Sequence, residues 1–514
     1  MQTLRSYLED RWIAGELPNI SLYNAVTGEV CAETSTRGLD LGAAMAHART
    51  VGGANLRAMS FAERGELLKR LSSVIHSHRD ELIGLAQVNS GNTRGDAKFD
   101  IDGAMGTLAY YAGVGVRMGD RTYLLDGDHE RFSRSKRFLA QHILVPRHGV
   151  AVHINAFNFP AWGLGEKAAV ALLAGMPILC KPATSTSVVA ARLIELWVEH
   201  ADLPAGAISL LCGSAGDLLD HLGAQDAVAF TGSGDTGRVI KGHPRVLQYN
   251  VPVNVEADSL NAAVLGPDAE VGSDTFEMFI SDVVRDMSQK AGQKCTATRR
   301  IFVSRDLVDD VLDVLTERLD QQVVGDPTVR ATTVGPLASA AQKRDILAGI
   351  DKLAEVADKV WGGGEVPDNG YYVAPALYRN DQGVHAPFVH EHEVFGPVAT
   401  VLPWDGDAAT LVAMVSKGGG GLVCSVYSDD VSWSGDVLVG LAPWHGRLYW
   451  GSRKVHDQGT GPGAVMPGLV HGGPGKAGGG EELGGQRGLR FYWQRTAVQG
   501  DRALLQRVFG KLDA

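Results

Sequence analysis

The chain has 514 residues, of which 45% are hydrophobic and 21% are charged. This is the composition of a globular protein with roughly two to four domains, and it excludes the disordered and collagen-like classes. The 48 Lys and Arg against 59 Asp and Glu give a net charge of −11, so no basic surface is expected and nucleic acid is excluded as an expected partner.

The sequence gives no indication of a membrane span, a secretory signal or a disulfide framework. Apolar runs such as Ala168–Ala174 are far shorter than the ~18–20 residues that a membrane span requires, so no membrane partner is expected. No apolar segment follows the first residues, so we expect no secretory signal and a cytoplasmic location. The five cysteines are odd in number and form no C-x-x-C pair. They are therefore predicted to be free thiols, without a disulfide framework or a cysteine-ligated zinc site.

The first hundred residues are predicted to be mainly helical, because residues 61–88 place apolar side chains at helical spacing. Residues 121–141 contain an Asp-Gly turn signal and are interpreted as an excursion between lobes. From His142 onward, short apolar strands alternate with helical stretches, which predicts a parallel sheet covered on both faces. The predicted strands are residues 143–146, 149–154, 177–180, 208–212 and 227–230, and the predicted helices are Trp162–Ala174 and Thr186–His200.

A second α/β block begins with a predicted helix over Ser273–Lys290 and a strand over Arg300–Val303, and the alternation continues to about residue 430. Residues 451–490 contain 14 glycines, a density that prevents regular helix or strand from dominating there. This segment is either a flexible linker or a loop whose backbone passes close to a ligand. The predicted fold class is therefore α/β with two lobes.

A glycine motif follows the predicted strand at 227–230. The segment Gly232-Ser233-Gly-Asp-Thr-Gly237 matches G-x-G-x-x-G, and Glu256 lies 19 residues beyond its last glycine. That pattern is typical of dinucleotide binding, in which glycines admit a pyrophosphate and the acidic side chain binds a ribose. In a chain with 64 glycines, a plain strand–turn–helix connection explains the motif equally well.

Two further segments contain candidate catalytic residues. Cys295 follows the long predicted helix in a glycine-containing turn, where Lys290 and Lys294 would favour the reactive thiolate. Asn158 precedes a helix that begins with proline, and its amide is a suitable oxyanion donor, although an Asn there more often caps a helix. The run His390-Glu-His-Glu lacks H-E-x-x-H spacing, so no metal site is expected.

Six motifs, taken together in their order and approximate spacing, resemble the aldehyde dehydrogenase superfamily over most of the chain. They are Asn158-Phe-Pro, Lys181-Pro-Ala, Phe230-Thr-Gly-Ser, Glu256, Gly292-Gln-Lys-Cys295-Thr and Glu393-Val-Phe-Gly-Pro-Val. The resemblance implies an α/β fold with a Rossmann-like cofactor domain, an α/β catalytic domain and a small β oligomerisation arm.

The same resemblance implies the domain boundaries and the assembly. The cofactor domain would comprise residues 1–120 and 142–256, the catalytic domain 257–470, and the arm and C-terminal tail 121–141 and 471–514. The arm and the tail after Gly488 are expected to pair across subunits, because the family buries the edges of such sheets in a dimer. A homodimer is therefore expected.

The resemblance further implies the chemistry of aldehyde oxidation. Cys295 would attack the aldehyde, and the Asn158 amide with the Cys295 backbone N–H would stabilise the oxyanion. Glu256 would activate the water that releases the acyl group, rather than bind a ribose. Lys167 and Glu482 match family positions near the active site and would relay protons; the alternative is a surface lysine and a loop glutamate.

A nicotinamide nucleotide is the implied cofactor. Lys181 would hold the adenine ribose, and Thr184 stands where many NAD-preferring relatives have Glu. Without that carboxylate nothing repels a 2′-phosphate, which favours NADP over NAD, although NAD remains possible. Glu393 would bind the nicotinamide ribose, and Phe395 would border the nicotinamide. The expected cofactor-binding residues are Lys181, Thr184, Gly232, Ser233, Gly237, Glu393 and Phe395.

Within the family, residues 153–162, 251–261 and 472–484 most resemble a branch that acts on CoA-thioester semialdehydes in aerobic benzoyl-CoA and phenylacetate breakdown. The implied substrate is a small aldehyde linked to CoA, such as 3,4-dehydroadipyl-CoA semialdehyde. Two alternatives remain. Known CoA-acylating dehydrogenases lack an acid at the Glu256 position, and a non-catalytic relative would be expected to lack Cys295.

Overall fold

A computed structural model describes residues 2–132, 134–405 and 407–510. Residue 1 of the predicted cofactor domain, residue 133 of the predicted arm, residue 406 of the predicted catalytic domain and residues 511–514 of the predicted tail lie outside these ranges. The strands are β1 (Gln2–Leu4), β2 (Ser6–Leu8), β3 (Arg11–Ile13), β4 (Ile20–Tyr23), β5 (Val30–Thr34), β6 (Leu124–Leu125), β7 (Phe138–Pro146), β8 (Ala151–Ile154), β9 (Ile178–Lys181), β10 (Ile208–Leu210), β11 (Ala227–Thr231), β12 (Val253–Glu256), β13 (Ala262–Leu265), β14 (Arg300–Ser304), β15 (Asp358–Gly362), β16 (Ala376–Arg379), β17 (Val398–Trp404), β18 (Gly421–Tyr427), β19 (His445–Gly451), β20 (Val470–Gly473), β21 (Gly480–Leu483) and β22 (Trp493–Asp501).

The helices are α1 (Leu41–His47), α2 (Gly53–Ala58), α3 (Phe61–Ser77), α4 (Arg79–Ser90), α5 (Arg94–Met118), α6 (Trp162–Ala174), α7 (Ser187–His200), α8 (Gly234–Lys241), α9 (Pro244–Tyr249), α10 (Asp274–Ser288), α11 (Val308–Leu319), α12 (Ala340–Ala354), α13 (Pro387–Glu391), α14 (Ala408–Ser416), α15 (Val431–Leu441) and α16 (Arg502–Phe509). None of the helices in the described ranges combines the length and the apolar composition that a membrane span needs.

The first sheet has the strand order β12-β11-β8-β9-β10-β2-β3. The strands from β12 to β10 run parallel, and the β2–β3 hairpin extends the sheet in the antiparallel sense. Alternate residues of β9 pack on opposite faces, since Ile178 lies in a core with α3–α7 and Leu179 in a core with α1, α8 and α9. The predicted parallel sheet with two covered faces is therefore confirmed. Its register places Thr231 beside Glu256 at the carboxyl ends of β11 and β12.

The second sheet has the order β15-β16-β17-β14-β13-β18-β19, and all its strands are parallel except β15. It also separates two buried cores, one against α10 and α11 and the other against α14 and α15. Helix α10 leads back toward β14 through the turn that contains Cys295. The α/β fold with two sheets is therefore confirmed. Cys295, the predicted nucleophile, lies in the connection between α10 and β14.

The N-terminal prediction is wrong for residues 2–34, which form the short strands β1–β5 instead of helix. Strands of three to five residues are too short to show a clear alternation of apolar side chains, and they are held by pairing with distant strands. The helical pattern over residues 61–88 is confirmed by α3 and α4.

The arm is a three-stranded antiparallel sheet of β6, β7 and β22. Strand β22 pairs with β7 along nine residues of the same chain. The two segments expected to pair across subunits therefore pair with each other within one chain. Trp493 attaches this sheet to the body, since its side chain is buried and its Nε1 donates to the Ala174 carbonyl oxygen at 3.0 Å.

The glycine-rich segment passes through the body of the protein as the β20–β21 hairpin, which packs against β12 and β19. Gly478 has φ +104°, and a Cβ there would lie 2.1 Å from the Val255 carbonyl oxygen. Glycine is required at such a close approach of two backbones. The flexible-linker interpretation is therefore wrong, and the hairpin delivers its side chains to the carboxyl end of β12.

Candidate active site

Two cavities meet at the carboxyl ends of β8, β11 and β12. The larger has a volume of about 1190 Å³, and the smaller is a narrow pocket of about 40 Å³. Asn158, Thr231, Glu256 and Cys295 line both of them. Cys295 is therefore accessible from a cavity of cofactor size and from a separate pocket of side-chain width.

A left-handed turn presents Cys295. Residues 290–292 have φ between 51° and 67°, and a Cβ on Gly292 would lie 2.1 Å from the Gly396 carbonyl oxygen. Only glycine fits that contact. Asn261 Nδ2 donates to the Cys295 carbonyl oxygen at 2.7 Å and so fixes the Cys295 segment against the second sheet.

The lysines near Cys295 in sequence do not activate its thiol. Lys294 Nζ is held by Asp286 Oδ1 at 2.6 Å, and the Lys290 ammonium lies over the Phe159 ring, 4.5 Å from its centroid. Burial, and then the charge of nearby carboxylates, raises the pKa of the Cys295 thiol well above its usual value. The expectation that these lysines favour the thiolate is therefore wrong.

Glu256 and His471 lie beside the thiol. His471 Nε2 is 3.1 Å from Glu256 Oε1 and 3.8 Å from Cys295 Sγ, and both His471 and Glu256 are buried. Sequence reasoning missed His471. Its only signal was a histidine directly before two glycines, and the β20–β21 hairpin brings it to the site across 176 residues.

Glu256 and His471 each stabilise the charged form of the other. Burial opposes ionisation of Glu256, but the imidazolium of His471 and the ammonium of Lys167 outweigh it and hold the pKa of Glu256 below its ordinary value. Burial likewise opposes protonation of His471, but the charge of Glu256 raises its pKa above the ordinary value. The pair is therefore a carboxylate next to a readily protonated imidazole.

Asn158 lies in the turn that leads into α6, which begins at Trp162, and it lines both cavities. Its Nδ2 donates to the Gln293 carbonyl oxygen at 3.0 Å, two residues before Cys295 in the chain. An amide carries two N–H donors, so this bond orients the group and leaves the second donor for an oxyanion near Cys295. The structure thus brings the predicted oxyanion donor next to the predicted nucleophile segment.

Lys167 lies at the centre of a buried hydrogen-bond network. Its Nζ donates to Thr231 Oγ1 at 2.8 Å, to Glu482 Oε2 at 3.1 Å and to Glu166 Oε1 at 3.3 Å. Thr231 Oγ1 in turn donates to Glu256 Oε2 at 3.5 Å. Lys167 and Glu482 are buried rather than on the surface, and they connect to Glu256 through Thr231. Their role in proton transfer stays a prediction.

Glu166 was not singled out from the sequence, although it precedes Lys167. Burial raises the pKa of Glu166 to about 7, against the opposing charge of Lys167. Burial alone would lower the pKa of the Lys167 ammonium, but the charges of Glu482, Glu166 and Glu256 outweigh burial and raise it. A carboxyl group with a pKa near neutrality therefore lines the narrow pocket.

The larger cavity contains the residues expected to bind the nucleotide, namely Lys181, Thr184, Gly232, Ser233, Gly237, Glu393 and Phe395. Ser233 caps α8, which begins at this cavity, and its Oγ accepts from the Thr236 amide at 3.3 Å. Thr184 Oγ1 donates to the Gly213 carbonyl oxygen at 3.0 Å.

The positive charge of Lys181 makes the larger cavity suitable for an anionic cofactor. Burial lowers the pKa of its ammonium, and the side chain forms no ion pair or hydrogen bond with any residue that the structure describes. A partly buried cation without a carboxylate partner favours an anion from outside the chain. The residues present therefore fit a phosphate-bearing dinucleotide.

Glu393 and Phe395 form the opposite wall. Glu393 accepts from the Ser259 amide at 3.0 Å and from Arg299 Nε at 3.1 Å, and burial raises its pKa to about 7. Phe395 packs edge-on against Phe157, which also lines the cavity. Arg299 stacks on Phe395 at 5.2 Å, and sequence reasoning gave no indication of this residue.

In the histidine-rich run that begins at His390, the His390 side chain has a structural role beside the second sheet. His390 is buried, its Nδ1 lies 3.0 Å from Arg300 Nη1 and its Nε2 lies 3.0 Å from the Gly383 carbonyl oxygen. Both ring nitrogens are thus engaged by neighbouring groups of the chain. His390 ties α13 to the second sheet.

Comparisons with known proteins find relatives that match most of the chain. The model of the family described as Aldehyde dehydrogenase family matches residues 12–498. The 3,4-dehydroadipyl-CoA semialdehyde dehydrogenase of Aromatoleum evansii is 42% identical over 480 residues, which cover 92% of this chain and 93% of the relative. A hydroxyisobutyraldehyde dehydrogenase of Mycolicibacterium austroafricanum is 30% identical, over 82% and 78% of the two chains. The NAD+ complex of an aldehyde dehydrogenase from Bacillus cereus has the same fold, with a TM-score of 0.85 and 24% identity over 98% and 97% of the chains.

We expect Glu166 to make stability depend on pH. A carboxyl whose pKa is raised from 4.5 to about 7 binds its proton more tightly in the folded chain. Its contribution is therefore fully present below pH 4.5 and is lost as the pH rises through about 7. Glu166→Gln should reduce the loss of unfolding free energy between pH 5 and pH 8 by roughly 1–3 kcal/mol, measured by urea denaturation. The exposed Glu365→Gln should leave that difference unchanged, and equal slopes for Glu166→Gln and the unmodified protein would contradict the assignment.

Proposed function

The chain belongs to the aldehyde dehydrogenase family, and on that premise we propose that it oxidises a CoA-linked semialdehyde to the carboxylic acid with NADP, through a thioester on Cys295. The observation that carries the proposal is the position of Cys295, which lines both the nucleotide-sized cavity and the narrow pocket. A nucleophile in that position can hold an aldehyde carbon within reach of a cofactor.

The first step is addition of the Cys295 sulfur to the aldehyde carbon, which gives a thiohemiacetal anion. The Asn158 amide, held by its bond to the Gln293 carbonyl, and the Cys295 backbone N–H are suited to receive the oxygen. The chemistry that an oxidised nicotinamide supplies, when bound, is acceptance of a hydride. Lys181, Thr184 and Glu393 would hold the nucleotide.

The second step is hydrolysis of the thioester. Glu256 is ionised over the whole neutral range, because the charges of His471 and Lys167 lower its pKa, and it borders both cavities. It is therefore suited to accept a proton from the attacking water. The proton would leave Glu256 by a relay in which Lys167 gives one ammonium proton to Glu482 and is reprotonated from Glu256 through Thr231, so that the net transfer is from Glu256 to Glu482.

The proposed substrate rests on the relative from Aromatoleum evansii and on the shape of the pocket. Phe99, Phe159, Trp162 and Val465 form the apolar walls of a pocket of about 40 Å³. Such a pocket admits an extended carbon chain but not the nucleotide part of CoA, which would stay outside. A semialdehyde at the far end of a CoA-linked acyl chain meets this constraint.

A CoA-acylating reaction is the alternative within the same family. In that reaction CoA, rather than water, takes the acyl group, and no water-activating base is needed. Glu256 is present, buried and in contact distance of His471, which favours hydrolysis. A steady-state assay with a CoA semialdehyde, NADP and no free CoA distinguishes the two, since an acylating enzyme would not turn over.

Two variants test the mechanism. Cys295→Ala should abolish turnover and still bind nucleotide, because it removes only the nucleophile. Glu256→Gln should release a burst of reduced nucleotide and then turn over slowly, because the thioester forms but is not hydrolysed. Stopped-flow absorbance of the reduced nucleotide measures both phases, and near-normal turnover of Cys295→Ala would falsify the mechanism.

The proposed preference for NADP rests on Lys181 and Thr184, which share one wall of the larger cavity. Lys181 has no carboxylate partner among the described residues, and Thr184 presents a hydroxyl instead of a negative charge. A 2′-phosphate placed there would meet a cation and no like charge. NADP should therefore bind more tightly than NAD.

Thr184→Glu should shift the preference toward NAD. A like-charge contact at ~4–5 Å under partial screening is worth ~1–3 kcal/mol, or ~5–150-fold in affinity for NADP. Thr184→Gln is the matched control, since it has the same shape without the charge and should lose far less. Fluorescence titration with both nucleotides gives the ratio of dissociation constants. Tighter binding of NAD by the unmodified protein would show that another contact decides specificity.

A homodimer is also proposed. Strands β6 and β22 are the edges of the arm sheet, and the adjacent α16 exposes Leu504 and Val508 by 60% and 64%. Exposed strand edges beside apolar side chains are suited to pair with a second copy. Light scattering should give about twice 54.6 kDa at micromolar concentration, and Leu504→Asp should shift the mass toward the monomer. A monomer mass for the unmodified protein would refute the dimer.

A further inference from the structure

Three metal-ligating side chains of different chemistry meet where the two cavities join. One donor atom each of Cys295, Glu256 and His471 lies within 4.8 Å of the other two. His471 Nε2 is 3.8 Å from Cys295 Sγ and 3.1 Å from Glu256 Oε1. A thiolate, an imidazole and a carboxylate are the donors that bind Zn²⁺ in proteins. The group therefore has the donor set of a zinc site.

The spacing of the donors fits the edges of a tetrahedron around one zinc ion. Zinc bonds are ~2.3 Å long to sulfur and ~2.0–2.1 Å long to nitrogen or oxygen. Two tetrahedral ligands then lie about 3.6 Å apart for sulfur and nitrogen, and about 3.3 Å apart for nitrogen and oxygen. The 3.8 Å and 3.1 Å distances in the structure are within about 0.3 Å of these values. Small side-chain rotations would therefore complete the coordination.

Exchange of protons for the ion leaves the buried charge unchanged. Without metal, the group contains the neutral Cys295 thiol, the Glu256 carboxylate and an imidazolium 3.1 Å from it. Zn²⁺ would bond to Sγ and to Nε2 as each of these atoms releases one proton to solvent, and it would bond to Glu256 without proton loss. Thiolate, imidazole, carboxylate and Zn²⁺ again sum to zero. Metal binding therefore adds no net charge to the protein interior.

The neighbouring residues orient the donors and leave a path for the ion. Thr231 Oγ1 donates to Glu256 Oε2 at 3.5 Å, and the other carboxylate oxygen, Oε1, faces His471. Cys295 and Glu256 line the larger cavity, through which an ion can reach them. Three protein ligands leave a fourth coordination position for water.

The donor types favour a soft divalent cation. Sulfur and nitrogen ligands suit Zn²⁺, whereas Mg²⁺ and Ca²⁺ prefer a shell of oxygen atoms. Glu166, Glu256 and Glu482 also bring three donor atoms together. That acidic group already has a cation, since Lys167 Nζ donates to Glu166 and Glu482. The group that contains sulfur is therefore the better metal site.

We propose that Cys295, Glu256 and His471 form a Zn²⁺ site and that the bound ion blocks the nucleophile. The expectation of no cysteine-ligated zinc site considered only C-x-x-C pairs, whereas these ligands come from three distant segments. The ion would hold the electron pair with which the sulfur attacks, and it would occupy the carboxylate that activates water. Zn²⁺ is thus a reversible inhibitor. Inhibition rests on the proposed function, whereas metal binding does not.

Metal titration of the full-length protein tests the site without aldehyde or nucleotide. The protein would be treated with EDTA, the chelator removed, and ZnCl₂ titrated in competition with a chromophoric chelator. CoCl₂ supplies a spectroscopic signature, because a thiolate bound to Co²⁺ gives a charge-transfer band in the near ultraviolet. We expect one Zn²⁺ per chain at micromolar metal, this band in the cobalt form, and no comparable binding of MgCl₂.

Variants identify the ligands. Cys295→Ala should lose the cobalt band, and His471→Phe, which keeps a ring without its nitrogen donors, should weaken Zn²⁺ binding at least about tenfold. Cys31→Ala and His76→Phe are the matched controls, since each removes a thiol or an exposed imidazole outside both cavities. Both controls should stay within about twofold of the unmodified protein, because the sites are independent.

Protection of the thiol is a second measurement. Zn²⁺ should slow the modification of Cys295 by iodoacetamide, followed by mass spectrometry, and EDTA should restore the rate. Zn²⁺ affinity that is unchanged in Cys295→Ala or His471→Phe would overturn the proposal, since the metal would then be bound elsewhere on the chain. Absence of the thiolate band from the unmodified cobalt form would overturn it as well.

Failures of folding and of the proposed function are distinguishable from failure of this inference. Thermal melting reports whether each variant folds. If His471→Phe does not fold, His471→Gln replaces it, and the cobalt spectrum and thiol protection of the unmodified protein decide in either case. Lack of turnover on semialdehydes would refute the function and leave the metal titration intact. With an active enzyme, Zn²⁺ should inhibit turnover and EDTA should reverse the inhibition; full activity with Zn²⁺ bound would contradict the blocking role.

Discussion

The buried ammonium of Lys167 is the interaction on which the rest of the site depends. It holds Glu482 and Glu166 directly and Glu256 through Thr231. A carboxylate taken out of water without a partner costs several kcal/mol, so this group of acids is stable only around a fixed cation. The carboxyl ends of β11 and β12, helix α6 and the β20–β21 hairpin all meet at this charge.

The positive charge of Lys167 is balanced by its carboxylates, so it does not stabilise a thiolate at Cys295. Lys167 is paired with its own carboxylates, while burial, and then the negative charges near Cys295, raise the pKa of the Cys295 thiol. Reactivity must then come from a proton acceptor in contact with Sγ or from the arriving substrate. His471 lies between Cys295 and Glu256, with its Nε2 3.8 Å from the sulfur and 3.1 Å from the carboxylate.

Arg299 joins the larger cavity to the segment that precedes Cys295. Its Nε donates to Glu393 at 3.1 Å, its Nη1 to the Gly396 carbonyl at 2.8 Å and its Nη2 to the Gly292 carbonyl at 2.9 Å. A planar guanidinium with fixed donors holds these three groups in one geometry. The left-handed turn before Cys295 and the wall of the cofactor cavity are therefore positioned by the same side chain.

The amino-acid sequence by itself determined the alternation of strands and helices, the α/β class and the segments with Cys295, Asn158 and Glu256. These are local properties, because apolar periodicity, helix starts and short motifs depend on neighbours in the chain. The strands of residues 2–34 escaped prediction, because three to five residues paired with distant strands carry no periodic signal. Only the tertiary structure decided that His471, Glu166 and Arg299 belong to the site and that Lys290 and Lys294 do not. Contacts such as the one between His471 and Cys295 join residues 176 positions apart, and they depend on how sheets and hairpin pack rather than on any local pattern.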